Sequence, residues 1–164
     1  MKIQKLLFLS KGDFMKKYLL YLGILLMLLS LVSVSSAKEM TLGQGYLIDI
    51  PDEYDASYSD SSIMVDASPR CVIMISETAL LTIDEKFEYA NYYFTVDEFH
   101  TLPIGNKMVV EFTTKTYNNG DIYVYFVDTE DSSICLLVNA NPNIVWNIEE
   151  PSNPVHYIIE EMSE

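Results

Sequence analysis

Basic residues are scarce in this sequence, and half of them lie before residue 18. The chain holds ten lysines and arginines against 24 aspartates and glutamates. Residues 38–164 keep only five basic residues against 23 acidic ones, a formal charge of −18. A protein that binds nucleic acid or anionic lipid needs a basic surface to contact phosphates, so neither class of ligand is expected. The acidity suits cations or basic proteins, or it only keeps an exported domain soluble.

The chain also has few of the side chains that carry nucleophilic catalysis and zinc binding. It has two histidines, His100 and His156, and two cysteines, and their spacing matches no zinc motif. No serine lies in a G-x-S-x-G sequence. With so many acidic residues, some pair will stand at the separation used by glycosidases by chance. We therefore expect a protein that is not an enzyme and needs no cofactor, with a secreted carboxylate-dependent hydrolase as the alternative.

The two cysteines, Cys71 and Cys135, allow one intramolecular disulfide. An exported domain lies where disulfides persist, and a bridge closing so long a loop would contribute on the order of 4 kcal/mol in the entropic model. The alternative is a pair of buried free thiols that behave as small hydrophobic side chains. The sequence leaves both interpretations open.

One long apolar run, residues 18–37, follows Lys16 and Lys17 and carries no charge. Its end, "VSVSSA", has the small residues of a signal-peptide cleavage site after Ala37. The run is also long enough to cross a bilayer as a helix, so an uncleaved anchor through residues 18–37 is the alternative. The lysines stay on the cytoplasmic side either way. We predict an N-terminal extension and signal segment in residues 1–37, and one extracytoplasmic domain, secreted or membrane-anchored, in residues 38–164.

Alternating patterns in this domain predict several strands. "GYLIDIP" is a strand ended by Pro51, and "DEYDASYSDSS" is a loop or ragged edge strand. "IMVDA" and "CVIMISE" form a hairpin, with Pro69 at the first corner of the turn. "KMVVEFTTKTY", "DIYVYFVD" and "SSICLLVNA" form a three-stranded meander whose first turn is "NNG". "VDEFHTLPIGN" is predicted to be a connection.

Two helices complete the prediction. Thr82 and Glu85 form a capping box ahead of the first helix, and Asn153 caps the second, with Pro154 at its first position. The apolar stripe of the first helix is Ile83, Phe87, Ala90 and Phe94. That of the second is Val155, Ile158, Ile159 and Met162. The sequence thus predicts an α+β fold: an antiparallel sheet with a hairpin, a three-stranded meander and two packing helices, after an N-terminal signal or anchor helix.

This order of elements resembles the PsbP-like proteins over about residues 43–162. The resemblance is carried by "YLIDIPDEY", a strand ended by Pro and followed by an aromatic residue, and by the "TIDE" box that opens the first helix. PsbP-like proteins often have Trp after the Pro, where this chain has Tyr54. The resemblance implies an exported α+β domain with a binding or accessory role and seldom catalysis. It carries over no functional residue.

Two acidic segments are candidates for binding Ca²⁺, which prefers hard oxygen ligands. Asp52, Glu53, Asp55 and Asp60 crowd one loop, and Asp128, Glu130 and Asp131 crowd a turn. Neither segment fits the D-x-[DN]-x-[DN]-G loop. A solvated acidic loop is the alternative.

Tyrosines are the other candidates for recognition. Tyr123 and Tyr125 point away from the apolar face of their strand, and Tyr89, Tyr92 and Tyr93 cluster on the first helix. Exposed tyrosine supplies rigid contact area for partners or sugars. The alternative is that a helix layer buries the strand tyrosines.

Together these features predict a small acidic exported domain with a non-enzymatic binding or accessory role at the cell envelope. Its ligand would be a protein or an envelope polymer. A secreted hydrolase and a membrane-anchored spacer without a ligand are the alternatives.

Overall fold

The computed structural model describes residues 37–43, 45–114 and 121–163. These residues contain nine strands and two helices. The strands are β1 Ala37–Leu42, β2 Tyr46–Pro51, β3 Asp55–Ser59, β4 Ser62–Ala67, β5 Cys71–Ala79, β6 Val96–Ile104, β7 Lys107–Thr114, β8 Asp121–Asp128 and β9 Ser132–Ala140. The helices are α1 Ile83–Tyr93 and α2 Pro154–Glu161. The predicted leader and the "NNG" turn lie outside the described residues. Among the described ones, no helix is long and apolar enough to cross a bilayer.

The strands form two antiparallel sheets, which confirms the predicted α+β class. β1 and β2 pair as a hairpin, and the other strands form a seven-stranded sheet in the order β3-β4-β5-β9-β8-β7-β6. The predicted meander is present as β7, β8 and β9. β5 then pairs with β9 and joins the β3–β4–β5 segment to the meander. Within the described residues, the sheet therefore ends at two edge strands, β3 and β6.

One face of the seven-stranded sheet carries the larger core. Alternate residues of the central strands fill this core, and the β1–β2 hairpin, the connection before α2 and α2 itself contribute buried side chains to it. The helix stripe predicted for α2 is confirmed, since Val155, Ile158, Ile159 and Met162 are all buried. The Asn153 cap is also present, because its side chain accepts a hydrogen bond from the Val155 amide. Apolar burial on this face is the main source of stability in the domain.

The opposite face carries a smaller core beneath α1, built from Ala90, Phe112, Val124, Phe126 and Cys135. The predicted capping box is present at the start of α1: the Glu85 amide donates to Thr82 Oγ1 at 3.3 Å, and the Thr82 amide donates to the Glu85 carboxylate at 2.8 Å. The predicted stripe of α1 is only half right. Ala90 is buried, but Ile83 and Phe87 remain 45% and 43% exposed, and Lys86 is buried instead.

The segment predicted as a connection before β7 is a strand, and that prediction was wrong. β6 pairs with β7 along its length, with a bulge between Val96 and Glu98. Pro103 and the charged residues argued against a strand, but an edge strand tolerates proline because one side of it makes no ladder hydrogen bonds. The two-residue turn Gly105-Asn106 was the signal that could have revealed this hairpin, and Gly105 has a φ of +56°.

Three smaller features also differ from the prediction or sharpen it. β1 was not predicted, because its apolar residues Met40 and Leu42 are too few to mark a strand without their partner β2. The segment "DASYS" is an edge strand rather than a loop. Pro69 occupies the second corner of its turn rather than the first: the Arg70 amide donates to the Ala67 carbonyl at 3.0 Å, and the Ser68–Pro69 peptide is cis.

Candidate functional site

The two tyrosines predicted for recognition belong to the larger core. Tyr125 is fully buried, and half-buried Tyr123 packs against the same core. Their rings stack on each other at 6.2 Å, and the indole of Trp146 stacks on Tyr123 at 5.5 Å. The prediction of exposed rings was wrong for Tyr125, because the connection before α2 covers this face. Sequence alternation had assigned the two faces of β8 correctly but not which layer covers each.

The two cysteines are free and buried, so the disulfide interpretation was wrong. Cys71 lies opposite Ala140 in the β5–β9 ladder, whereas Cys135 lies five residues earlier on β9. At about 3.4 Å per residue this offset is roughly 17 Å, and an odd offset points the two side chains to opposite faces. A disulfide needs Cα atoms within about 7 Å. Burial raises the pKa of both thiols to about 12, so both are poor nucleophiles.

The structure does not bring the four calcium candidates together. Asp55 begins β3 and Asp60 follows its last residue, so β3 separates them by roughly 17 Å. Asp52 and Asp55 line a surface cleft of about 430 Å³, which Lys38 also lines. In the described part of the chain, no three or more acidic, His or Cys side chains converge as a metal site.

The second acidic segment anchors α1 to the sheet. Lys86 is 3% exposed, and its ammonium lies 2.5 Å from Asp128 Oδ2. The Ser133 hydroxyl donates to Asp128 Oδ1 at 2.7 Å and accepts from the Leu81 amide at 3.1 Å, just before α1. Asp128 therefore has a structural partner on each carboxylate oxygen. This anchor explains why Lys86 is buried against the sheet, whereas Phe87 stays 43% exposed at its side.

Glu111 is a half-buried acid in the hydrogen-bond network of the larger core. It lies opposite His100 on β6 and opposite Tyr125 on β8. The Tyr125 hydroxyl donates to Glu111 Oε1 at 3.4 Å and accepts from Trp146 Nε1 at 2.7 Å. Burial raises the pKa of Glu111 above its usual value, against the opposing effects of His100 and of this hydrogen bond. The acid is thus costly to ionise in the folded protein.

This raised pKa gives a pH dependence with a definite sign. The folded protein binds the Glu111 proton more tightly than the unfolded chain, so stability falls as pH rises from about 4.3, the ordinary glutamate pKa, through the folded-state value. We expect Glu111→Gln to remove this fall. Its gain in unfolding free energy over wild type should grow with pH across that window, measured by urea unfolding. Glu130→Gln, an exposed control, should track wild type at every pH; parallel curves for Glu111→Gln would contradict the prediction.

The exposed apolar side chains concentrate beside α1. On the face that α1 partly covers, α1 leaves a strip of sheet open towards the β6 edge. We call this the α1–β6 surface: Ile83, Phe87, Phe99 and Met108, which are 45%, 43%, 54% and 59% exposed. Phe87 and Phe99 each contact the buried ring of Phe112, at 6.2 Å and 5.9 Å between centroids. Half-buried Val110 lies between Phe112 and Met108 on the same face of β7.

The charge around this surface is acidic. Asp84 and Glu88 are exposed on α1, and Asp97 and Glu98 are exposed on β6. Lys86, the lysine within α1, does not offset this charge, because it is buried and paired with Asp128. The arrangement can therefore take apolar groups that are flanked by positive charge, and it repels anionic ligands.

No family model matches this chain. No curated protein matches it either. Among solved structures, it is similar to the solution structure of cyanobacterial PsbP from Synechocystis sp. PCC 6803. The TM-score is 0.49 at 6% identity, over 68% of this chain and 84% of that one. This is the family that the order of elements in the sequence resembles. The likeness concerns the fold alone, so no site residue is taken from it.

Sequence patterns missed the residues of the α1–β6 surface for two reasons. Phe99 lay in a segment assigned to a connection, and Ile83 and Phe87 were assigned to a buried stripe. Met108 was correctly placed on one face with Val110 and Phe112, but its exposure depends on how far α1 reaches across the sheet. The available signal was the Gly105-Asn106 turn, which would have placed Phe99 in a strand.

Proposed function

We propose that residues 38–164 form an extracytoplasmic, non-enzymatic binding domain that docks a basic partner protein through the α1–β6 surface. The observation that supports this is the exposure of four large apolar side chains on α1, β6 and β7, two of which, Phe87 and Phe99, contact the same buried ring of Phe112. Monomeric proteins rarely expose contiguous apolar patches, and those they do expose are often interaction sites. Aromatic residues and methionine are also enriched at interfaces.

The acidity of the domain supports a basic partner. A formal charge of −18 over residues 38–164 creates a long-range field that attracts positive charge and speeds encounter. The acids of α1 and β6 bring that charge to the rim of the apolar surface. Association should therefore slow as salt screens the rim.

A protein fits this surface better than an envelope polymer does. Sugar binding typically uses a flat, accessible aromatic ring, but the coplanar rings of this domain, Tyr123, Tyr125 and Trp146, are buried or half-buried in the core. The rings of Phe87 and Phe99 contact Phe112 edge-on or tilted, so they form an uneven apolar surface rather than a flat one. Such a surface accepts the side chains of a polypeptide.

A carboxylate-dependent hydrolase is the second candidate, and one observation favours it. Glu111 combines partial burial, a raised pKa and a nearby histidine, as a general acid would. If the purified protein hydrolyses an envelope polymer and Glu111→Gln abolishes the turnover, this candidate replaces the binding domain.

The proposed function is tested by placing a negative charge in the apolar surface. We expect Phe99→Glu to abolish capture of the native partner from the cell surface, because it places an acid within an acidic rim and removes a central ring. Capture should fall by at least about tenfold, the equivalent of 1.4 kcal/mol. The measurement is chemical crosslinking on intact cells followed by quantitative mass spectrometry.

The matched control is Val145→Glu. Val145 is 93% exposed and lies in the connection before α2, away from the α1–β6 surface. The same substitution there should leave capture unchanged and gives the same change in net charge. Equal capture by wild type and Phe99→Glu would overturn the proposed function and leave a spacer without a ligand.

A further inference from the structure

We infer that the partner adds an extended segment to the free edge of β6 as an eighth strand of the sheet. Its apolar side chains lie on the α1–β6 surface, and basic side chains lie beside Asp97 and Glu98. This inference rests on the proposed function and specifies the chemistry of its partner: an unfolded or loop segment in which apolar and basic residues alternate.

The free edge of β6 supplies backbone groups for such a strand. β6 ends the seven-stranded sheet, with β7 as its one neighbour in the described sheet. Residues 97–101 are all exposed. An edge strand presents a row of N–H and C=O groups that can pair with another chain. Strand addition uses these groups for affinity and uses alternate side chains for specificity.

The apolar surface lies on the correct side of that edge. Phe99 shares a sheet face with its ladder partner Phe112, and Thr101 shares it with Val110. An added strand would place every second side chain on this face, next to Phe99 and within reach of Phe87 and Met108. Its other side chains would point to the opposite face, beside Glu98 and His100.

The other free edge is less suitable. β3 has five residues against the nine of β6. Its polar groups already contact β1: the Ala56 carbonyl accepts from Lys38 Nζ at 2.7 Å, and the Tyr58 hydroxyl accepts from the Thr41 amide at 3.0 Å. No comparable contact from another element to the β6 edge is present between residues 97 and 101 of the described chain, apart from those to β7.

Charge determines which strand can pair with β6. In the antiparallel registers that place Asp97 and Glu98 opposite the same residues of a second copy, like charges would face each other, which is destabilising on a sheet. Charged residues at an edge are a common protection against self-association. The same acids attract lysine or arginine. The edge therefore disfavours a second copy in these registers and favours a basic strand.

The test uses the full-length protein and a synthetic peptide as long as β6, in which valine and lysine alternate. One control peptide has glutamate in place of lysine. A second keeps the side chains but carries a methyl group on every second backbone nitrogen, which removes donors along one edge. Binding is measured by fluorescence anisotropy, and backbone amide hydrogen exchange is followed at β6 by NMR.

We expect the valine–lysine peptide to bind at least about tenfold tighter than either control, a difference of 1.4 kcal/mol. It should slow exchange at alternate amides between Asp97 and Thr101, because only every second amide of an edge strand points outward. Phe99→Glu should weaken this binding, and Val145→Glu should not.

Three results would overturn the inference. The first is equal binding of the N-methylated peptide, and the second is no binding of the valine–lysine peptide. The third is protection of β6 that rises with protein concentration alone, which would make a second copy the occupant. In the first two cases, loss of native-partner capture in Phe99→Glu would still support the proposed function. Unchanged capture in that variant would overturn the proposed function itself.

Discussion

Replacing Asp128 with alanine is expected to lower the free energy of unfolding by about 2–4 kcal/mol, because it leaves the Lys86 ammonium buried without its partner. Lys86 has a side chain that is 4% exposed, and its distance to Asp128 Oδ2 is 2.5 Å. Asp128 also accepts from Ser133, which in turn accepts from the Leu81 amide before α1. Its side chain is 45% exposed, so water near the lysine would moderate the loss. Urea unfolding measures the effect.

The partner variant Lys86→Met separates charge from packing. Methionine keeps an unbranched stem of similar length and removes the buried charge, while Asp128 keeps Ser133 and its access to water. Losing one partner of an ion pair is costly when the other charge stays buried and unpaired, but Asp128 is 45% exposed, so we expect a change within about 1 kcal/mol. Glu130→Ala, on an exposed residue of the same turn, should change stability by less than about 0.5 kcal/mol. An equal loss in Lys86→Met and Asp128→Ala would contradict this explanation and show that the ion pair itself stabilises the domain.

Removing the Tyr125 hydroxyl is expected to cost about 1–3 kcal/mol, although phenylalanine keeps the ring. Trp146 Nε1 donates to that hydroxyl at 2.7 Å, and the hydroxyl donates to Glu111 at 3.4 Å. Tyr125→Phe therefore leaves an indole N–H and a half-buried carboxylate short of a partner. Tyr125→Ala should cost about 3–5 kcal/mol, since it also leaves a cavity in the larger core.

The only tryptophan of the chain reports on this site directly. The indole N–H of Trp146 donates a hydrogen bond to the hydroxyl that Tyr125→Phe removes. The fluorescence emission of Trp146 in the folded variant should therefore differ from that of wild type before any unfolding occurs. Tyr92→Phe is the matched control, since Tyr92 is 82% exposed, and it should change neither emission nor the urea midpoint. Unchanged emission and stability in Tyr125→Phe would mean that the hydrogen bond contributes nothing to the fold.

The proposed docking and the proposed strand addition depend on the same two features, the exposed α1–β6 surface and the edge of β6. Both are unusual in a small domain, and both lie next to acids. Under the proposed function, the partner's charge rather than its sequence is the main requirement for encounter.

Local sequence determined most of the secondary structure of this protein. Alternating or continuous apolar residues in β2, β4, β5, β7, β8 and β9 predicted their strands, because a strand buries one face or, as in β8 and β9, both faces. The capping box at Thr82 and the Asn153-Pro154 pair located both helix starts, because these side chains satisfy backbone groups within a few residues of themselves. The formal charge of −18 over residues 38–164 also follows from sequence alone.

Only the tertiary structure decided which surfaces are covered. Cys71 and Cys135 could have paired in sequence terms, but the β5–β9 register points them to opposite faces. The sequence placed Tyr125 away from the apolar face of its strand and Phe99 in a connection, yet the connection before α2 covers the first, and α1 stops short of the second. Coverage depends on contacts between residues far apart in the chain, and local periodicity carries no information about the extent of those contacts. The candidate binding surface is the part of the sheet that such contacts leave open.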